Sequence, residues 1–284
     1  MIIKVCGMRE GNNIREIEAL GVDLIGMIFY EKSPRYVSER PTYLPHKAKS
    51  VGVFVDAEPQ EIISRVRDYG LGAIQLHGHE SPTYIRHLKQ ALGEAITSSR
   101  TKMQALGETD TSSRTEMQAL GEAETSSRAE MQALGETDTY SRAEMQELGE
   151  ATLSSRAEMQ TKDGNSPSLP AIKIIKAIGI SNEHSLDGLE EYDELVDAFV
   201  FDTYTPQKGG SGETFNHSML KDYHGRTPFL LSGGLSLNNA AEILSLRHPK
   251  LIGFDINSRF ETAPAQKDPA RVRQFVEMVK KRAE

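Results

Sequence analysis

Five side chains that could carry chemistry follow or end short apolar runs of the sequence. They are a thiol, a guanidinium, an imidazole and two carboxylates: Cys6, Arg35, His77, Asp202 and Asp255. A carboxyl group facing a thiol could supply the acid and the base of a proton transfer. A thiol acts as a base only when its pKa is lowered, which a nearby cation could do. The pattern therefore indicates acid–base chemistry on a substrate bound between Cys6 and Asp202.

These side chains also have plainer interpretations. A free cysteine is often a small buried hydrophobic residue, and an arginine in a loop is usually exposed to solvent. A guanidinium can also bind a carboxylate as a fork, so Arg35 is a candidate for holding an anionic group. Metal binding is not expected, because the sequence has no cysteine cluster.

Glycines that follow two of the apolar runs indicate a second kind of site. The sequence LSGGL at 231–235 exposes backbone N–H groups with no side chain in front of them. The helix expected after it would add its positive N-terminal end, and Asn257 and Ser258 follow the last run. We expect a phosphate to bind here; the alternative is that Gly233 and Gly234 only form a tight turn.

A regular alternation of apolar runs and helical patterns places these residues. Runs buried on both faces and separated by helices are typical of a parallel sheet. Eight such units predict a closed (β/α)8 barrel, an α/β fold in which chemistry takes place at the carboxyl ends of the strands. An open doubly wound sheet is the alternative, but its frequent G-x-G-x-x-G loop is missing. The predicted strands are 2–6, 24–29, 51–55, 73–76, 172–178, 198–202, 228–232 and 252–256.

Helical patterns lie between the predicted strands. Residues suited to cap a helix or to form its first turn open three of them, at Ser81, Ser236 and Asp268. Examples of the predicted helices are 12–20, 58–70, 81–92, 237–246 and 268–282.

Five tandem copies of a 14-residue unit occupy residues 91–160. Each copy mixes good helix formers with a glycine and other weak ones, and no strong apolar face is present. We therefore expect a helical or disordered insertion between helix 4 and strand 5 rather than a packed domain. An interaction or oligomerisation arm is the alternative. Residues 1–90 and 161–284 would then form a single barrel.

Composition and charge argue against several classes of protein. A formal net charge of −8 gives no electrostatic basis for binding nucleic acid. A single cysteine cannot form an internal disulfide, which fits a reducing compartment. No basic region with a long apolar stretch opens the chain, and no run of about 18 apolar residues occurs, so neither a signal peptide nor a membrane span is expected. The expectation is a cytoplasmic protein.

Six motifs of this chain resemble motifs of the phosphoribosylanthranilate isomerase family, in the same order. They are KVCGMR (4–9), FYEKSPRYV (29–37), VGVFVD (51–56), IQLHG (74–78), FDTYTPQKGGSGETFN (201–216) and LSGGL (231–235). The resemblance covers essentially everything outside 91–160 and a short linker after it. One departure is Ala265, which stands where many members of the family have glycine.

The resemblance implies an isomerase of tryptophan biosynthesis that carries out an Amadori rearrangement without cofactor or metal. Its substrate would be a small phosphorylated molecule, N-(5′-phosphoribosyl)anthranilate, and the protein would be a monomer or a homodimer. By this resemblance Asp202 is the general acid that opens the ribose ring. Cys6 is the general base that removes the proton from C2′.

The resemblance also implies which residues bind the substrate. Arg35 would hold the anthranilate carboxylate, and His77 and Asp255 would orient the substrate. A loop over 208–212 would close over the site, with contacts from Gly210, Ser211 and Gly212. The phosphate would be held at Ser232, Gly233, Gly234, Asn257 and Ser258.

Two other functions stay open from the sequence. The related phosphoribosyl isomerase of histidine biosynthesis uses two aspartates, and Cys6 in place of one of them argues against it. A non-catalytic barrel that uses the repeat to bind a partner is the other alternative, and the complete set of acid, base and anion sites argues against that.

Overall fold

The strands of the structure form a closed parallel barrel, as the sequence predicts. The computed structural model describes residues 1–95, 97, 172–203 and 217–283. The strands are β1 (Ile2–Val5), β2 (Leu24–Ile28), β3 (Lys49–Phe54), β4 (Ala73–Leu76), β5 (Lys173–Ile180), β6 (Ala198–Thr203), β7 (Phe229–Leu231) and β8 (Leu251–Ile256). Each strand pairs with the next, and β1 pairs with β8 to close the barrel. The alternative of an open doubly wound sheet is therefore wrong.

Closure of the barrel places its first and last strands, β1 and β8, in register. Lys4 of β1 lies opposite Asp255 of β8, and Val5 lies opposite Ile256. Because all the strands are parallel, their carboxyl ends meet at one rim of the barrel. That rim is where chemistry takes place in barrels of this kind.

Side chains alternate along each strand between the barrel interior and the layer of helices. The outer layer holds large aromatic rings, such as Phe199 and Phe201, whose ring centroids lie 5.7 Å apart. The interior is filled by smaller side chains, so it is a packed core and not a channel. These inner residues are Val51, Ala73, Ile175, Ala177, Ala198, Val200 and Leu230.

Five α-helices lie in the described residues. Two begin at caps that the sequence predicts: the Ser81 hydroxyl accepts a bond from the Tyr84 N–H at 3.2 Å, and the Asp268 carboxylate accepts one from the Ala270 N–H at 2.9 Å. The helices are α1 (Gly11–Glu18), α2 (Pro59–Tyr69), α3 (82–95), α4 (Ala240–Ser245) and α5 (Pro269–Ala283).

The helix after β7 begins later than predicted, and Ser236 does not cap it. The Ser236 N–H and hydroxyl both donate to the side-chain oxygen of Asn239, at 2.8 and 3.0 Å. The Asn239 amide in turn donates to the Gly234 carbonyl at 3.1 Å. These local bonds compete with the helix and hold the chain in a turn, so α4 starts only at Ala240.

Some connections contain no α-helix. Residues 29–48, between β2 and β3, are instead held by Glu18, whose carboxylate accepts the N–H groups of His46, Lys47 and Ala48 at 2.7–2.9 Å. Two short 3₁₀ helices, Glu183–Leu186 and Leu189–Tyr192, connect β5 to β6.

A small hairpin follows the last barrel strand. The 3₁₀ helix Ser258–Phe260 leads from β8 into β9 (Glu261–Ala263), which pairs antiparallel with β10 (Gln266–Lys267). The hairpin therefore leaves the barrel at the carboxyl end of β8, at the rim that holds the predicted site.

The helix α3 includes the first residues of the tandem repeat. It continues through residues 91–95, and Leu92 is buried in the hydrophobic core. Almost all the rest of 91–160 lies outside the described residues, so the predicted character of the insertion stays a prediction. Within the described part of the chain, no helix is long and apolar enough to cross a membrane.

Candidate active site

Cys6 lies at the rim, directly after β1, in a charged environment. Its side chain is buried, and its N–H donates to the Ile256 carbonyl of β8 at 2.9 Å. Burial raises the pKa of the thiol above its ordinary value, and Asp255 adds to the rise, so the lowered pKa expected from the sequence is wrong. The ammonium groups of Lys4 and Lys267 oppose the rise. A residue that served only as packing would not need two buried cations facing it.

Lys4 and Asp255 form a buried ion pair deeper in the barrel than the thiol. Their Nζ and Oδ2 atoms lie 2.9 Å apart, and the side chains are 0% and 5% exposed. Burial alone would lower the pKa of Lys4, but Asp255 raises it above its ordinary value. Among the described residues nothing donates to Oδ1 of Asp255, although that atom is buried. This oxygen therefore keeps acceptor capacity that no donor of the described residues uses.

Asp202 ends β6 on the same rim. Its Oδ1 accepts the Thr203 N–H at 2.9 Å. Burial raises the pKa of Asp202 to about 6, Asp255 adds to the increase, and hydrogen bonds from Thr203 and Ser232 oppose it. A carboxyl group with this pKa can donate a proton near neutral pH.

His77 lies next to Asp202, in agreement with the prediction that both residues lie at the same rim of the barrel. Its Nε2 is 3.6 Å from Oδ2 of Asp202. Its Nδ1 is 3.0 Å from the amide nitrogen of Gln75, which lies two residues earlier on β4. Nε2 is therefore the ring nitrogen that faces the Asp202 carboxyl group.

Arg35 is fixed in a buried fork with Glu261. The Arg35 Nε lies 2.8 and 3.1 Å from the two carboxylate oxygens, and Nη2 lies 2.7 Å from Oε2. Arg35 is only 8% exposed, so the plainer expectation of a solvent-exposed arginine is wrong. This pairing uses one side of the guanidinium. The edge formed by its two Nη atoms can bind a second carboxylate.

Lys267 on β10 extends this network to the end of β8. Its Nζ donates to the Glu261 carboxylate and, at 2.9 Å, to the Asn257 side-chain oxygen. Burial would raise the pKa of Glu261, but Arg35 and Lys267 hold it below its ordinary value. Three rim segments are thus joined: the loop after β2, the hairpin and the end of β8.

The turn after β7 packs directly against the acid. Gly233 and Gly234 both have positive φ, 83° and 63°, which favours glycine. A Cβ atom on Gly233 would lie 2.3 Å from Oγ1 of Thr203 and 3.2 Å from Oδ1 of Asp202. The predicted contribution of a helix N-terminus is wrong, because α4 begins only at Ala240 and the chain between them forms a turn. Phosphate binding here stays a prediction that rests on backbone N–H groups.

Most of the chain matches the model of one protein family. That model is described as N-(5′-phosphoribosyl)anthranilate (PRA) isomerase, and it matches residues 3–117 and 161–278. The chain belongs to the PRA isomerase family.

Individual relatives agree with this assignment. The chain is 34% identical over 282 residues to the N-(5′-phosphoribosyl)anthranilate isomerase of Phocaeicola vulgatus, with 99% of both chains covered. It is 32% identical over 285 residues to that of Parabacteroides distasonis, covering 98% of this chain and 93% of the other. The crystal structure of the phosphoribosyl anthranilate isomerase from Thermotoga maritima is 25% identical, with a TM-score of 0.62 and coverage of 99% and 100%.

Three charged residues of this PRA isomerase site were not singled out from the sequence. They are Lys4, Glu261 and Lys267, all buried or nearly so at the rim. Only Lys4 gave a usable signal, since it is a charged residue inside the apolar run 2–6. Glu261 and Lys267 lie in a polar stretch that reads as an ordinary surface loop.

Some predicted residues of the PRA isomerase site cannot be placed. Gly210, Ser211 and Gly212 lie outside the described residues. Ala265, where the family resemblance predicts glycine, is fully buried at the turn of the hairpin and has a φ of 67°. A left-handed conformation is unusual for alanine, and it is the conformation that glycine adopts at no steric cost.

Among the residues that the structure describes, no group of three or more His, Cys, Asp and Glu is placed to hold a metal ion.

Proposed function

We propose that this chain converts N-(5′-phosphoribosyl)anthranilate to 1-(2-carboxyphenylamino)-1-deoxyribulose 5-phosphate in tryptophan biosynthesis. Membership of the PRA isomerase family supports this reaction. The observation that carries it is the pairing, at one rim, of a carboxyl group whose pKa is about 6 with a buried thiol beside a lysine. These are the acid and the base that an aldose–ketose isomerisation needs.

Asp202 would act first, as the general acid. It protonates the ribose ring oxygen while the nitrogen lone pair forms a double bond to C1′ and the C1′–O bond breaks. The product of this step is an open-chain iminium ion. The raised pKa of Asp202 keeps the carboxyl group protonated in a fraction of the molecules near neutral pH, which supports this role.

Cys6 would act second, as the general base. Its thiolate removes the proton from C2′, the C–H electron pair forms a C1′=C2′ double bond, and the nitrogen is neutralised to give an enolamine. Transfer of the C2′ hydroxyl proton and protonation at C1′ then give the ketone. Asp255 would accept a hydrogen bond from a substrate hydroxyl. Its Oδ1 atom has no donor in the described part of the chain.

Arg35 and the glycine turn would hold the two ends of the substrate. The edge of the Arg35 guanidinium that Glu261 does not occupy suits the anthranilate carboxylate. The phosphate would bind at Ser232, Gly233 and Gly234, with Asn257 and Ser258 from the end of β8. A substrate held at both ends would place C1′ and C2′ between the acid and the base.

We also propose that the protein acts in the cytoplasm and that residues 91–160 take no part in catalysis. A base that is a free thiol suits a reducing compartment. The repeat lies largely between α3 and β5 in the chain, and every residue proposed for catalysis lies outside it.

A substrate comparison tests this function. The purified full-length protein is given freshly made phosphoribosylanthranilate while anthranilate fluorescence is followed. The phosphoribosyl substrate of the histidine-pathway isomerase is offered in a parallel assay. Turnover of the anthranilate substrate with kcat/KM at least about 10⁴ M⁻¹s⁻¹ is expected. Turnover of only the histidine-pathway substrate, or of neither, contradicts the proposal.

A further inference from the structure

Lys4 is a fully buried lysine that the reaction described above does not use. It lies two residues before Cys6 on the β1 strand, so both side chains point into the barrel. Its own side chain is 0% exposed. Burying an ammonium group is costly unless it is paired, and Asp255 at 2.9 Å provides the pair. Asp255 occupies one N–H group of the ammonium in the described part of the chain, so the others can face a third group.

That third group is the Cys6 thiol. The Lys4 ammonium lies close enough to the Cys6 thiol to favour ionisation of the thiol. Gly26 on the neighbouring strand lies beside both atoms: a Cβ built there would be 3.0 Å from the Cys6 sulfur and 3.3 Å from the Lys4 nitrogen. The absence of a side chain at Gly26 therefore leaves room for the sulfur and the ammonium on the same side of the strand.

Other charged groups also face the thiol. Asp255 on β8 opposes ionisation of the thiol, and Lys267 on β10 favours it. Lys267, however, donates its hydrogen bonds to Glu261 and Asn257. Lys4 is the cation that lies beside the sulfur at Gly26 and has a counter-ion holding it in place.

We propose that Lys4 is a positioning residue that stabilises the thiolate form of Cys6 used for proton removal, with Asp255 as the counter-ion that holds Lys4. The inference rests on the proposed function, because only a base needs to be a thiolate. If the Lys4–Asp255 pair were merely structural, the ionisation of Cys6 would not depend on Lys4.

The single cysteine makes the test direct. Protein labelled with ¹³C at the cysteine Cβ gives one cysteine signal, whose chemical shift reports thiol or thiolate as the pH is raised. In Lys4→Met the pKa of Cys6 is expected to rise by about 1 or more, since a nearby opposite charge lowers the pKa of an acidic group by about 1–3. An unchanged titration in a folded variant overturns the inference.

Lys176 provides the matched control. It is a second lysine buried in the barrel wall, and it pairs with Glu80 at 3.2 Å, away from Cys6. Lys176→Met loses a buried cation in the same way and is expected to leave the Cys6 titration unchanged. An equal shift in both variants would point to a general effect of disturbing the barrel and would overturn the specific role of Lys4.

A double variant guards against a failure to fold. Lys4→Met/Asp255→Asn removes both charges, so no uncompensated carboxylate stays buried. The pKa of Cys6 is expected to remain above that of the wild type, by less than in Lys4→Met, because Asp255 opposes ionisation. A pKa of Cys6 in the double variant equal to that of the wild type contradicts the proposal.

Activity separates the two claims. In Lys4→Met the kcat/KM for the anthranilate substrate is expected to fall about tenfold for each pH unit by which the thiol pKa rises. If the wild type does not turn over the substrate but Lys4→Met still shifts the titration, the proposed function fails and the Lys4–Cys6 coupling stands. If the wild type is active and the titration does not move, the inference about Lys4 fails alone.

Discussion

Cys6 and Asp202 favour, at neutral pH, the protonation states opposite to those that the reaction needs. Burial raises the pKa of the thiol above its ordinary value, while the pKa of Asp202 is about 6. Most molecules therefore carry a thiol and a carboxylate, and a minor fraction carries the thiolate and the carboxylic acid. Between the two pKa values this minor fraction is constant, since the two forms hold the same number of protons.

This arrangement predicts a broad, flat pH profile. The kcat/KM is expected to fall below about pH 6, where Asp202 and Cys6 are both protonated, and again only above the raised pKa of the thiol, where both are deprotonated. The measurement is kcat/KM for the anthranilate substrate from pH 5 to pH 11. A decline that begins near pH 7 would contradict the assignment of the alkaline limb to Cys6.

Asp202→Asn is expected to inactivate the enzyme and to stabilise it. In the wild type, the folded-state pKa of Asp202 is about 6, which is above its ordinary value. The carboxyl group therefore stabilises the folded state at pH values below its unfolded pKa. This contribution is lost as the pH rises through about 6. At pH 8 the amide should gain about 1–3 kcal/mol of unfolding free energy over the wild type.

The measurement for Asp202→Asn is urea unfolding at pH 8 and pH 5, together with kcat. The stability gain should be smaller at pH 5, and kcat should fall by about 10² or more. A variant that is less stable at pH 8 than the wild type would show that burial of the carboxylate is not the cause of the raised pKa.

At the scale of elements, the β9–β10 hairpin sets the position of the carboxylate-binding arginine. Glu261 at its start holds Arg35 from one side, and Lys267 at its end holds Glu261. The loop that carries Arg35 has no helix of its own, so the hairpin supplies the rigidity that the loop lacks.

Glu261→Gln is therefore expected to act through Arg35. The amide cannot form the charged fork, so KM should rise roughly tenfold or more while kcat changes less. The matched control is Glu277→Gln, an exposed glutamate of α5, which should leave both constants unchanged. An effect of Glu261→Gln confined to kcat would contradict a role in holding the substrate carboxylate.

The sequence predicts these elements well where a local pattern specifies them. Ser81 and Asp268 cap their helices because a short polar side chain reaches an N–H two or three residues ahead. Ser236 fails because Asn239, equally close, captures its hydrogen bonds. Such competition between local partners is decided by geometry that the residue types alone do not contain.

At the scale of the whole molecule, closure of the barrel creates the contacts that the sequence could not show. Lys4 meets Asp255, and Arg35 meets Glu261, across more than 200 residues of chain in each case. Cys6 and Asp202 could be assigned to one rim because each ends a strand. Their charged neighbours could not, because pairing across the barrel depends on strand register and on the hairpin.

The tandem repeat gives a prediction at this same scale. Deleting 105–160, the last four copies, should leave kcat/KM within a few-fold of the full-length value, since the rim is built from other parts of the chain. Deleting 91–160 also removes Leu92 from the core and should cost about 2–5 kcal/mol of stability. Activity and thermal unfolding of the two variants are compared. A hundredfold loss of activity on deleting 105–160 would contradict a passive insertion.

The most direct test of the central claim compares the wild type with Cys6→Ala in the anthranilate fluorescence assay. The wild type is expected to turn over phosphoribosylanthranilate, and Cys6→Ala should be slower by at least about 10²-fold, because it lacks the base for C2′. Circular dichroism confirms that the variant is folded. Equal rates for the two proteins would contradict the account, since Cys6 would then be a packing residue and another group would remove the proton.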